Sequence, residues 1–430
     1  MYILYNLLLG AFGVGVLPLF LAKVIFSRNK REIFSQKLGF IPEETLAGMK
    51  GEPRIWLHAV SLGEVSAAHP LIRQLREVYP GACLMLSTGT ESGQKIARER
   101  VLEATGTFFY PLDFPFVVRK VIRQLRPDLF VIVETELWPN FLRIVKEEGA
   151  QTLLVNGRIS ERSFKRYYKT RFFWTAVLDN FDALSMIGVQ DGVRIISMGA
   201  NPVKVLVNGN CKFDQAALSA HPVFHEEMKR LLRIEDQEQV FIAGSTHEGE
   251  EEVAIQAFQK IRRRYPETIL ILVPRHVDRS FRVEKLLERY GIQDKIRRSQ
   301  LNGEGRKGAR VVVWDTFGEL FKVYSLGTII FCGASLIPRR GQNILEPAAW
   351  GKVVLYGPSM EDFLDAHQLL SSVGAGIMVQ NGEELAERCV YLLDHPQELK
   401  ERGEAGREAL LAQRGATQRN LELARELLER

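Results

Sequence analysis

The chain is poor in cysteine, with four residues, Cys83, Cys211, Cys332 and Cys389, among 430. They are widely separated and form no Cys-x-x-Cys pair, which argues against a zinc site or a disulfide framework. Four scattered thiols fit a reducing compartment and small core residues. A large excess of one charge is missing too. Lys and Arg number 57 against 52 Asp and Glu, a net charge of +5. That is too diffuse to point to nucleic acid, and suits anionic substrates or an anionic membrane surface. No Asp-x-Asp metal motif, no repeat and no low-complexity segment is present.

Charge is also absent from Met1 to Ala22, and the apolar run resumes as Val24-Ile25-Phe26 after Lys23. Such a run is long enough to cross a hydrocarbon core of roughly 30 Å at about 1.5 Å per residue. A signal peptide would need a basic stretch before a short apolar run, and neither is found. Residues 1–26 are therefore expected to form a membrane anchor. Lys23, Arg28, Lys30, Arg31 and Lys37 follow, opposed only by Glu32. The positive-inside rule then puts the body of the protein in the cytoplasm.

The whole chain is 46% hydrophobic and 25% charged, the composition of a globular protein of two or three domains. Short apolar runs read as buried parallel strands: Arg54–Ala59, Cys83–Ser87, Leu129–Val133, Thr152–Val155 and Val203–Val207. Amphipathic stretches such as Glu64–Tyr79 and Glu91–Leu102 read as the helices between them. The alternation resumes at Gln239–Ala243, Thr268–Val273, Arg310–Val313, Thr328–Cys332 and Val353–Tyr356. The expected fold is α/β: two Rossmann-like domains facing a cleft, at 27–208 and 209–395, with terminal helices at 396–430.

In open parallel sheets ligands bind beyond the C-terminal strand ends, and six polar clusters fall there. His58-Ala-Val-Ser61-Leu-Gly63-Glu64 ends a strand, turns at glycine and opens a helix. A carboxylate at a helix N-terminus is expected to stay ionised, as a general base must. Glu134-Thr-Glu136-Leu-Trp-Pro-Asn140 sets two carboxylates after a later strand, able to bind metal, bind sugar hydroxyls or act as acid and base, with hydroxyl or cation partners favoured. Asn156-Gly-Arg158 adds a cation at that edge, and Gly209-Asn-Cys-Lys212-Phe-Asp214 places a lysine to meet phosphate or carboxylate. Gly244-Ser245-Thr246-His247-Glu-Gly-Glu250 offers backbone donors to an anion, or a plain helix cap. Pro274-Arg275-His276 ends a strand, and Gly333-Ala-Ser335 with Gly341-Gln-Asn343-Ile-Leu-Glu346 reads as a phosphate cradle with a ribose-binding carboxylate.

This ordered set, spanning about residues 54–363, resembles the Kdo transferases, which attach the acidic eight-carbon sugar 3-deoxy-D-manno-octulosonic acid (Kdo) to lipid A. The resemblance implies a GT-B glycosyltransferase fold and transfer from CMP-Kdo to the lipid A precursor, lipid IVA, with inversion and without a metal or other cofactor. It implies Glu64 as the catalytic base. It assigns Ser245, Thr246, Arg275, His276, Ser335, Asn343 and Glu346 to the donor, and Ser61, Gly63, Glu134, Arg158 and Lys212 to donor or acceptor. The chain departs from the family pattern at Ala334, where a second glycine is usual and the change is small. It also departs at Arg340 and Gln342, within a stretch that usually reads Gly-Gly-His-Asn. Another nucleotide-sugar transferase, a nucleotide-sugar epimerase and a membrane-tethered binding protein are the rival readings.

Overall fold

The computed structural model describes residues 2–25, 28–214, 220–301 and 303–430. The chain forms two compact units, Met1–Gln215 with Arg414–Arg430, and Ala216–Gln413. Each is a seven-stranded sheet in which every pairing is parallel.

The first sheet contains β1 (Arg54–His58), β2 (Cys83–Thr88), β3 (Gly106–Phe109), β4 (Leu129–Val133), β5 (Gln151–Gly157), β6 (Ala183–Met186) and β7 (Val205–Val207). Their order is β3-β2-β1-β4-β5-β6-β7, so the winding reverses between β1 and β4. β2 and β4 are buried along their whole length, as expected of central parallel strands covered on both faces. Alternate residues of β1 feed opposite layers: Ile55 and Leu57 join one core cluster, Trp56 the other. Trp56 packs edge-on against Phe130 (5.2 Å) and Phe141 (5.0 Å). Each such buried side chain contributes about 1.5–3 kcal/mol of transfer free energy.

The second sheet contains β8 (Val240–Thr246), β9 (Ile269–Pro274), β10 (Lys295–Arg297), β11 (Val311–Val313), β12 (Ile329–Cys332), β13 (Val354–Tyr356) and β14 (Gly376–Met378). Its order is β10-β11-β9-β8-β12-β13-β14, with the reversal between β8 and β12. Four strands were not foreseen: β3, β6, β10 and β14. They have three or four residues each, and all but β6 lie at sheet edges, where a continuous apolar run is not needed.

The terminal stretch 396–430 is divided between the units. Helix Pro396–Ala412 belongs to the second, whereas helix Ala416–Leu428 packs on the first. Asp214 fixes the latter: its carboxylate accepts from Gly415 N (2.7 Å) and Thr417 N (2.6 Å), satisfying donors that an uncapped helix start leaves open.

The expected membrane-crossing anchor is corrected in part. Tyr2–Ile25 is one helix, but among the described residues no helix is long and apolar enough to cross a membrane. Part of the expected span, including residues 1 and 26, lies outside those described. The first turns are bonded to the folded body: Tyr5 Oη donates to Asp113 Oδ2 (2.8 Å), Asn6 Oδ1 accepts from Asn140 Nδ2 (2.6 Å), and Tyr2 Oη accepts from Asn180 Nδ2 (3.3 Å).

Candidate active site

In the first unit, β1 ends at His58 and the chain turns through Val60 into helix Leu62–Val78. Ser61 is the N-cap and Glu64 closes a capping box with it. The Glu64 carboxylate accepts from the N–H groups of Val60 and Ser61 and from Ser61 Oγ (3.3 Å). A Cβ on Gly63 would meet only Ser61 Oγ, at 3.9 Å, so the packing does not itself demand glycine there. The turn is braced by residues that sequence reasoning passed over. Thr90 Oγ1 donates to Val60 O (3.1 Å), and a Cβ on Gly93 would lie 2.9 Å from that oxygen, so the next helix approaches only because residue 93 has no side chain.

The helix N-terminus favours the ionised form of Glu64, as expected, but its surroundings oppose it. Burial, then the charges of Glu134 and Glu136, push its pKa up to about 7 despite the Val60 and Ser61 donors. His58, from the same motif, is a neutral core residue. It is buried, stacked on Tyr110 at 3.7 Å, bonded to Ser87 Oγ (3.0 Å), and lowered by burial to about 3.

Glu134 follows β4, on the other side of the switch point. It adopts φ 61°, a left-handed conformation uncommon for a residue with a side chain. Lys212 Nζ lies 2.6 Å from Glu134 Oε1. The lysine is held in place by its neighbours: Lys212 N donates to Asn210 Oδ1 (3.0 Å), and Cys211 N to Asn156 Oδ1 (2.9 Å). Thr135 ties the same loop to β5, since its Oγ1 donates to Arg158 O (2.6 Å) and accepts from Arg158 N (2.9 Å). Glu136, the second carboxylate of that motif, is pushed above the usual carboxylate range by burial and by Glu134, with Trp138 offsetting. Two segments distant in sequence, 134–136 and 210–212, thus meet beside β5.

The second unit gathers its own cluster beyond β8, β9 and β12. Arg275 and His276 are exposed at the end of β9, and Arg275 N donates to Thr246 O (2.9 Å). His276 stands edge-on to His247 at 5.6 Å. Burial lowers the His247 pKa, and His276, Arg339 and Arg275 add to this. Thr246 Oγ1 is buried without a hydrogen-bond partner. Asn343 Nδ2 lies 3.4 Å from Glu346 Oε1, and burial pushes Glu346 up to about 7, with Asn343 and Arg275 offsetting.

Three expectations about the loop after β12 change. Ser335 is fully buried, and its hydroxyl donates to Cys332 O (2.6 Å) and accepts from Gly357 N (2.8 Å). It holds the loop and has no hydroxyl proton left for a donor substrate. The N–H groups of Ala334, Ser335 and Leu336 point at the buried Glu250 carboxylate, at 2.7, 2.9 and 3.0 Å, so this stretch is not an open phosphate cradle. Ala334 is not a small change, for it sits at φ 57°, where glycine alone is free of steric cost. Arg340 turns away to Asp362, Nη2 to Oδ1 at 2.7 Å. Among the described residues no group of three His, Cys, Asp or Glu side chains is arranged to hold a metal ion.

Two doubly wound sheets with polar clusters at their switch points are the architecture of the GT-B fold. Solved structures agree at the level of fold. A glycosyltransferase from Rickettsia africae covers 88% of this chain and 99% of its own, with TM-score 0.56 at 16% identity. A UDP-GlcNAc 2-epimerase from Neisseria meningitidis covers 86% and 99%, with TM-score 0.59 at 12% identity. Sequence relatives are more specific. The 3-deoxy-D-manno-octulosonic acid transferase of Haemophilus influenzae is 33% identical over 409 residues, 94% of this chain and 93% of that protein. The transferase of the same name from Chlamydophila psittaci is 28% identical over 399 residues, 91% and 88% of the two chains. The family model described as 3-Deoxy-D-manno-octulosonic-acid transferase (kdotransferase) matches residues 32–215. The chain belongs to this family and is a glycosyltransferase that transfers Kdo.

Proposed function

We propose that the protein transfers Kdo from CMP-Kdo to the lipid A precursor lipid IVA in lipopolysaccharide biosynthesis, with inversion and with Glu64 as general base. The observation that carries this is the Glu64 carboxylate itself. It is positioned at the switch point by Val60 and Ser61 N–H groups and poised near neutrality by burial and two neighbouring carboxylates. A base with a pKa near the working pH takes a hydroxyl proton most effectively. In this reading an acceptor hydroxyl loses its proton to Glu64 as its oxygen bonds to the anomeric carbon, and the bond to the CMP phosphate breaks with its electron pair leaving on phosphate. One base and no covalent intermediate give inversion, by analogy with inverting glycosidases. Arg275, His276, Asn343 and Glu346 serve the nucleotide, the cation offsetting phosphate charge and the carboxylate taking ribose hydroxyls. Lys212 and Arg158 are cations for the sugar acid. No metal or other cofactor is part of this scheme.

The partners are CMP-Kdo, the lipid acceptor and an anionic membrane surface, with no nucleic acid. The helix Tyr2–Ile25 lies on the cytoplasmic face of the inner membrane in this reading. Its support is that Ile3, Leu4, Leu7 and Leu8 are 62–78% exposed on the side away from the bonded Tyr2, Tyr5 and Asn6. Residues 162–172 are also basic and aromatic, with Tyr168 and Phe172 exposed and Arg171 over the Tyr168 ring, the composition of an interfacial helix.

The test is CMP release with CMP-Kdo and lipid IVA, with lipid products resolved by mass, for wild type and Glu64→Gln. Lipid-dependent release, a Kdo mass increment and a loss of about 100-fold or more in the variant are expected. A folded wild-type protein that releases no CMP overturns the proposed donor–acceptor pair.

A further inference from the structure

The segment Glu134–Asn140 is fastened at its far end by a group the reaction does not use. Asp113 lies on the turn between β3 and helix Pro115–Leu125. Its carboxylate accepts from Asn140 N (3.0 Å) and Phe141 N (2.7 Å). Helix Pro139–Glu147 has Trp138 at its N-cap and no cap from that side chain, so Asp113 satisfies its open donors from outside.

A third bond comes from elsewhere. Tyr5 Oη, 108 positions away in the chain, donates to Asp113 Oδ2 at 2.8 Å. Asn140 repeats the connection, its Nδ2 lying 2.7 Å from Asp113 O and 2.6 Å from Asn6 Oδ1. Asp113 is 2% exposed and Asn140 fully buried, so water cannot replace a lost partner without opening the contact. Helix capping needs only the two N–H donors. The bonds from Tyr5 and Asn6 do something further, which is to join the N-terminal helix to the segment that carries Glu134 and Glu136.

We propose that Asp113 is a positioning residue that couples the seating of helix Tyr2–Ile25 to the placement of Glu134 and Glu136, so that contact of the helix with an anionic lipid surface tunes transfer. The lipid part rests on the function proposed above; the coupling itself does not. The two carboxylates lie within electrostatic reach of Glu64, and small displacements of such groups are costly in rate.

The experiment compares wild type, Tyr5→Phe, Asn6→Ala, Asp113→Asn and Tyr5→Phe/Asp113→Asn in the full chain on phosphatidylglycerol-containing vesicles. Two quantities are read: kcat and KM for Kdo transfer, and amide exchange over residues 134–142 with and without vesicles. Tyr5→Phe is expected to speed exchange at Asn140 and Phe141 and to lower kcat on the order of 10-fold, with KM for CMP-Kdo unchanged. It should add little to Asp113→Asn, because both act through one contact. Vesicles should slow exchange in wild type and not in Tyr5→Phe. If Tyr5→Phe and Asn6→Ala match wild type in exchange and kcat while Asp113→Asn does not, Asp113 is a plain helix cap and the proposal is wrong. If wild type transfers no Kdo, the functional reading fails, and the exchange data still decide whether the helix and the segment are coupled.

Discussion

Lys212 Nζ sits 2.6 Å from Glu134 Oε1, joining residues 78 positions apart in the chain. Glu134 holds its end of the pair at φ 61°. Strain of this kind persists only where surrounding contacts enforce it, and here Thr135, Asn156 and Asn210 do so. Lys212→Met would leave Glu134 without its cation. Because the pair is partly exposed, folding stability should change by no more than about 1 kcal/mol. Activity should fall about 10- to 100-fold, read as kcat/KM at saturating lipid against an unchanged melting curve.

The pH dependence of transfer should report Glu64. In its proposed role as general base Glu64 must be ionised, and its carboxyl is pushed up to about 7, chiefly by burial and then by Glu134 and Glu136. The rate should therefore rise with pH through about 7 and level off above it. Glu134→Gln removes one of the charges that raise the pKa, so its acid limb should move to lower pH. A limb that stays in place in this variant would show that Glu134 does not act on the base.

Glu250 is a structural carboxylate of the second unit. It accepts from the N–H groups of His247, Ala334, Ser335 and Leu336. Glu250→Ala strands these donors, of which those of Ala334 and Ser335 are buried, at about 1–3 kcal/mol for each buried one left unsatisfied. The variant should lose several degrees of thermal stability and bind CMP more weakly by calorimetry. Glu250→Gln, which keeps one acceptor oxygen, should lose less of both.

Arg340 and Arg275 should separate cleanly. Arg340 is exposed and paired with Asp362, so Arg340→Ala should leave CMP affinity within about 3-fold and stability within about 1 kcal/mol. Arg275 interacts electrostatically with both Glu346 and His247. Arg275→Ala should weaken CMP binding about 10-fold or more. Equal losses in the two variants would mean that Arg340 reaches the nucleotide after all.

Much of this is legible in the sequence, because strand ends in a doubly wound sheet announce themselves. Apolar runs such as Leu129–Val133 need no partner to be recognised, and the polar residue that follows each run must lie at the sheet edge. Ser335 and Ala334 show where that reasoning stops. A Gly-Ala-Ser stretch after a strand looks like a ligand loop, yet Glu250, far away in sequence, occupies its N–H groups. Asp113 was passed over because nothing near it in sequence hints at Tyr5 or Asn140.

By itself the sequence determined the α/β class and the strands of both sheet centres, which follow from local periodicity, and its ordered motifs carried the resemblance to the family. Only the tertiary structure decided the strand order, the Lys212–Glu134 pair, the raised pKa of Glu64 and the seating of the N-terminal helix on Asp113. Those depend on burial and on charges brought together from distant segments, and electrostatic free energy is set by distance and desolvation in space rather than by separation along the chain.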